Sequence, residues 1–182
     1  MIYYRSPFRS DKNLGKAYND EMQMLPGDAW VCFTDFDACF LHYNFNNRIE
    51  QHIKLRPDTG LFTCYTNRVK NWDQCIHGEI GSNPDIIHWK KVACDLTKYN
   101  GEVVDIGKEV SGVCMVFSKK TWLEAGGFRE TGKPLGIDHY FCWEILKLKK
   151  KILLMKDVFI FHYYLLVEGI KFTKHLKLLE IK

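Results

Sequence analysis

Asp35 and Asp37 stand two residues apart, directly after the apolar run Ala29 to Thr34. Alternate residues of an extended chain project to the same side, so both carboxylates address one spot. Paired carboxylates with room for water suit Mg²⁺ or Mn²⁺, hard ions that favour oxygen ligands and phosphate co-ligands. An Asp-x-Asp triplet also arises by chance and often merely opens a turn. Its place at the end of a buried strand favours the metal reading, because open α/β sheets bind ligands there. Asp138 opens an amphipathic stretch, where a carboxylate can face a cleft or simply stabilise a helix N-terminus by about 0.3–1 kcal/mol. His162 closes the last apolar strand and is followed by Tyr163 and Tyr164. An imidazole in that place can ligate a metal or merely pack among the rings.

The elements that must position these residues follow from periodicity and punctuation. Ile2 to Tyr4 reads as a short strand closed by Pro7. Leu14 to Leu25 reads as a helix with Asp11 or Asn13 as its cap and Pro26-Gly27-Asp28 as its stop. Ala29 to Thr34 has the continuous apolar character of a buried strand. A short helix is expected over Arg48 to Lys54 and a strand over Leu61 to Tyr65. Residues 66 to 107 mix Asn, Gly, Pro and Trp around one helix near Ile86 to Leu96, as a binding loop does. Val113 to Phe117 is a strand, and Lys119 to Ala125 a helix stopped by Gly126-Gly127. Ile137 to Lys149 is a helix with Ile137, Phe141, Ile145 and Leu148 on one face. Ile152 to Met155 and Val158 to Phe161 are two strands, and Lys171 to Lys182 a terminal helix. Strands alternating with helices predict an α/β domain on a mostly parallel sheet, with no internal boundary.

Composition narrows the class. The 182 residues are 46% apolar and 26% charged, a globular balance, and the aromatic content is 14%. Rings beside polar residues suit sugar or base stacking, though filling a core is their commoner use. A net charge of +4 could favour diphosphates but falls short of a nucleic-acid footprint. The basic run Lys147, Lys149, Lys150 and Lys151 reads as a solvated helix end. Seven cysteines without a C-x-x-C pair predict reduced, buried thiols rather than a disulfide frame or zinc knuckle. Neither a signal-peptide core nor an apolar stretch long enough to span a bilayer is visible, so a cytoplasmic protein is expected.

Five landmarks in order carry a family resemblance. Asn13-Leu14-Gly15-Lys16-Ala17-Tyr18-Asn19 leads to Trp30-Val31-Cys32-Phe33-Thr34-Asp35-Phe36-Asp37. Then come Ser111-Gly112-Val113-Cys114-Met115-Val116-Phe117 with Trp122, Gly126-Gly127-Phe128-Arg129-Glu130, and Gly136-Ile137-Asp138 with a strand ending at His162. Together they resemble the family 2 glycosyltransferases, over roughly residues 13 to 162 and with no match across 66 to 107. The resemblance implies the GT-A fold in a single domain, residues 1 to 110 binding donor and metal and residues 111 to 182 serving acceptor and catalysis. It implies that Asp35, Asp37 and His162 hold Mn²⁺ or Mg²⁺ and that Asp138 is the catalytic base. Gly127 and Phe128 would border the acceptor. Asn13 and Lys16 would join Asp35 and Asp37 on the donor side, with capping the alternative for Asn13. Asn19 could order the helix or reach the donor, and Arg5 and Lys12 are further diphosphate candidates.

The implied reaction is metal-dependent, inverting transfer of a sugar from a nucleotide diphosphate sugar to a hydroxyl of a glycan or other acceptor. Family members carry two further strands before the segment matching Asn13, with a carboxylate that reads the nucleotide base. Here Ile2 to Tyr4 would replace that element, or it is absent. Many members also have an acidic pair where this chain has Ile137-Asp138. The missing Gln-x-x-Arg-Trp implies non-processive action. No nucleic-acid partner or membrane span is expected, and peripheral membrane contact is left open. The rivals are a degenerate module that binds sugar or nucleotide without turnover, and another metal-dependent phosphate-transfer enzyme.

Overall fold

A computed structural model describes residues 1–76, 81, 83–133 and 135–163. Its strands are β1 (Ile2–Arg5), β2 (Trp30–Thr34), β3 (Ala38–Phe40), β4 (Leu61–Thr66), β5 (Val103–Asp105), β6 (Cys114–Ser118) and β7 (Ile152–His162). Its α-helices are α1 (Leu14–Met24), α2 (Phe45–Leu55), α3 (Ile86–Leu96), α4 (Lys119–Glu124) and α5 (Ile137–Lys147). The helix expected over Lys171 to Lys182 and the side chain of Tyr164 lie outside the described residues.

All seven strands form one sheet in the order β1-β2-β6-β4-β7-β3, with β5 also paired to β7. The sheet is mixed. β1 runs parallel to β2 and β4 parallel to β7, whereas β6 is antiparallel to both β2 and β4. β3 and β5 run against β7. Four strands therefore share a direction and three oppose it, so the α/β architecture is present with a sheet that is not purely parallel.

Alternate residues of β2 explain why it reads as an unbroken apolar run: both faces are covered. Val31 and Phe33 join a core with Tyr18 and Met22 of α1, Trp122 of α4 and Phe141 and Ile145 of α5. Cys32 turns to the other face, where Ile49 of α2 packs with Phe62, Cys64 and Val116. α3 closes the β7 end of the sheet through Trp89, stacked on Phe159 at 5.8 Å between ring centroids.

Two sequence expectations need correction. The strands foreseen at Ile152 to Met155 and Val158 to Phe161 are one, Ile152–His162. The polar pair Lys156-Asp157 looks like a break, but it forms an irregularity at which β4 pairing skips from Met155 to Phe159. Asp157 stays in the sheet because the buried His52 Nε2 at 2.6 Å and the partly buried Arg48 Nη1 at 3.0 Å and Gly101 amide at 3.2 Å receive it. In addition β3 and β5, three residues each, escaped the sequence pattern. The seven cysteines are all free; Cys94 is exposed and Cys39 intermediate, and the rest are buried.

Candidate metal centre and its cavity

β2 delivers Asp35 and Asp37 just beyond its last residue, and β7 ends at His162. β3 brings these strand ends together: Ala38 pairs with His162, and the Tyr163 amide bonds the Asp37 carbonyl at 3.0 Å. Asp35, Asp37 and His162 each offer one ligand atom, all within 4.8 Å of one another. His162 Nε2 lies 3.4 Å from Asp35 Oδ2 and 3.3 Å from Asp37 Oδ1.

The histidine is held from behind. Its Nδ1 is 2.8 Å from the Arg68 carbonyl oxygen, which only accepts, so Nδ1 carries a proton. Nε2 then presents a lone pair to a cation, or a second proton to the carboxylates. The buried Asn67 grips the same residue by its backbone, accepting from the His162 amide at 2.7 Å and donating to its carbonyl at 3.1 Å. A histidine oriented by a carbonyl on its far nitrogen has the support that metal-ligating imidazoles receive. Neighbouring ligands of an octahedral ion at about 2.1 Å stand about 3 Å apart, and the two distances from His162 Nε2, 3.4 and 3.3 Å, are close to that.

The electrostatics are uneven. Burial raises the Asp35 pKa, partly opposed by His162 and reinforced by Asp37 and Asp138. Burial also works against ionised Asp37, yet the hydrogen bond and charge of His162 hold its pKa below the ordinary value.

Asp35 and His162 open into a cavity of about 720 Å³ that Asp138 also lines. Asp138 sits in the first turn of α5, whose cap Gly136 takes φ 83°, a left-handed conformation that glycine adopts without strain. Asp138 Oδ2 accepts from the Gly112 amide at 2.8 Å and Oδ1 from the His139 amide at 2.9 Å. The base candidate is thus held by two backbone donors, and each oxygen has a further lone pair besides the one so used.

Other residues singled out from the sequence have different places. Asn13 caps α1, accepting from the Lys16 amide at 3.2 Å, and Lys16 Nζ pairs with Asp20 at 2.8 Å. Neither lines the cavity. Arg5 pairs with Glu21 at 3.3 Å. Asn19 is a fastener: its Oδ1 accepts from the Phe128 amide at 2.8 Å and from Trp122 Nε1 at 3.1 Å, and its Nδ2 donates to the Phe128 carbonyl at 2.9 Å. Phe128 is buried against Phe141 at 4.2 Å between centroids, and Gly127 packs on Asn19 and Trp122. Gly127 and Phe128 therefore shape the loop from within and do not line the cavity.

Sequence reasoning missed Asn67, Trp72 and Gln74. The first follows strand β4 immediately, as Asp35 follows β2, and strand-end position was the one signal that pointed to it. No family model matches the chain, and no curated protein matches it.

Proposed function

We propose that this chain is a metal-dependent glycosyltransferase of GT-A type, moving a sugar from a nucleotide diphosphate donor to an acceptor hydroxyl with inversion and without processivity. The observation that carries the reading is the convergence of Asp35, Asp37 and His162 on one spot at the edge of a cavity that also holds Asp138. A divalent cation bound by those three would supply positive charge against the departing diphosphate.

Asp138 accepts the proton of the acceptor hydroxyl as its oxygen bonds to the anomeric carbon. The bond from that carbon to the diphosphate breaks, and the diphosphate leaves with the electron pair. The Gly112 and His139 amides keep the carboxylate oriented for this step, which a mobile side chain would perform less well. Leu14, Tyr18 and Ile137 give the cavity a largely apolar stretch of wall.

Calorimetry and transfer assays with two variants test the assignment. Asp37→Ala is expected to abolish Mn²⁺-dependent binding of nucleotide diphosphates. Asp138→Asn is expected to bind them as the parent does and to lose transfer by a factor of about 10²–10⁴. Unchanged Mn²⁺-dependent affinity in Asp37→Ala would sink the metal assignment. Full transfer by Asp138→Asn would remove Asp138 as the base.

A further inference from the structure

Trp72 lines the same cavity as Asp138, yet its side chain is 64% exposed. A single exposed indole is unremarkable on a convex surface, because apolar atoms make up much of any protein exterior. The setting of Trp72 is different, because the short 3-10 turn that carries it, Trp72–Gln74, is tied down on every side. Asn71 accepts from the Asp73 amide at 3.1 Å and donates to the Glu109 carbonyl at 2.8 Å. Gln74, fully buried, donates to Thr63 Oγ1 at 2.8 Å and to the Ser111 carbonyl at 3.2 Å, and accepts from the Ser111 amide at 2.7 Å. Lys108 Nζ closes on Asp73 at 2.6 Å. The chain thus uses several hydrogen bonds, one of them fully buried, to anchor a turn whose largest side chain lines the cavity.

The anchors also fix the backbone that carries the ring. Ser111, which receives Gln74, is followed by Gly112, whose amide holds Asp138. The turn that carries the ring and the loop that holds the carboxylate therefore share one support. A ligand lying on the indole would rest on a turn that is tied, through Gln74, Ser111 and Gly112, to the segment that holds Asp138, the residue the acceptor hydroxyl must reach.

We infer that Trp72 is the stacking platform for the acceptor, and that the acceptor is a saccharide presenting the C–H face of a neutral sugar ring. A flat indole complements that face, and an amphipathic ring is the ligand type such surfaces take. The charges beside Trp72 on the cavity wall balance: Asp73 and Glu109 against Lys70 and Lys108. A mixed set of donors and acceptors without net charge suits a polyol better than an anion. This assignment rests on the glycosyl-transfer reading for the role of the bound sugar, while the binding itself can be measured apart from it.

The test is saturation-transfer NMR and titration with methyl glucosides, methyl galactosides and N-acetylglucosamine, each with and without Mn²⁺ and nucleoside diphosphates. The variants are Trp72→Ala and Trp72→Phe, and the exposed position protects both from folding defects. At least one saccharide is expected to bind the parent, with its contacts concentrated on one ring face. Trp72→Ala should weaken it about tenfold or more, and Trp72→Phe should restore most of the loss. Mn²⁺-dependent nucleotide affinity should be the same in all three proteins. Equal saccharide affinity in Trp72→Ala, or no saccharide binding to the parent, overturns the proposal. So does a fall in nucleotide affinity in Trp72→Ala, which would make the ring a base platform. Saccharide binding that depends on Trp72 without any metal-dependent nucleotide binding would instead remove the transferase reading and leave the platform standing.

Discussion

His162 is defined by what lies behind it. The Arg68 carbonyl sets the tautomer, and Asn67 holds the backbone on both sides of the ring's attachment. Losing Asn67 would remove one partner from each of the two backbone groups of His162 and free the imidazole to drift from Asp35 and Asp37. Asn67→Ala is therefore expected to weaken Mn²⁺ binding about 10–100-fold, as removal of an orienting partner does at other metal sites. Isothermal titration with Mn²⁺, together with the Mn²⁺ electron paramagnetic resonance spectrum, distinguishes this from general loosening; an unchanged metal affinity in a folded variant would deny Asn67 that role. Asp35 and Asp37 were legible in the sequence because an apolar run points straight at them. Asn67 and Trp72 were not, because a clamp made of one carboxamide and an open ring leaves no periodic trace in the mixed residues from 66 to 107.

The elements were easier to read where burial is two-sided or one-faced and harder where polar groups are satisfied inside. α1 and α3 stand where the sequence placed a helix, α1 with the expected Asn13 as its cap and α3 with Asp85, a cap the sequence reading did not name. The three-residue strands β3 and β5 carry too little pattern to announce themselves, although β3 assembles the candidate metal centre by joining two strand ends. In β7 the sequence suggested a gap at Lys156-Asp157, and the structure instead contains a buried ionic cluster. Burial opposes ionised Asp157, but the hydrogen bond and charge of His52, the Gly101 amide and Arg48 outweigh it and keep its pKa below the ordinary carboxylate value. Ionised Asp157 thus favours the fold above its unfolded pKa of about 3.9, and this contribution fades as the pH falls through the lower folded value. Asp157→Asn removes one partner from buried groups, a change that costs about 3–5 kcal/mol in a fully enclosed pair and less here, since Arg48 is partly open to solvent. The variant should melt well below the parent at neutral pH, and the gap should narrow as the pH is lowered through the carboxylate range. A gap independent of pH, followed by circular dichroism, would show that Asp157 acts by shape rather than by charge.

At the scale of the whole molecule, the alternation of strands and helices made an α/β domain legible, while the mixed direction of the sheet came from β3, β5 and β6, whose partners are set by distant residues. The landmarks that carry the family resemblance also meet in space. α1 approaches the Arg129 segment so closely that a side chain at Gly15 would overlap the Arg129 carbonyl, and Asn19 bonds Phe128 from the same helix. Segments far apart in the chain are thus locked around one cavity, and no helix among the described residues is long and apolar enough to cross a membrane. Such a cavity should couple ligand binding to global stability, because a ligand that binds only the native state shifts unfolding by mass action. At a hundred times the dissociation constant the gain is about 2.7 kcal/mol, which for a chain of this size is a rise in Tm of about 5–10 °C. A nucleoside diphosphate of the right base should give that rise with Mn²⁺ and little without it, since the carboxylates of Asp35 and Asp37 repel the diphosphate until a cation stands between them. Equal shifts with and without Mn²⁺ would mean that the nucleotide binds away from Asp35, Asp37 and His162. Shifts with none of the nucleoside diphosphates would count against a donor site in this chain by itself, whatever its affinity for sugars.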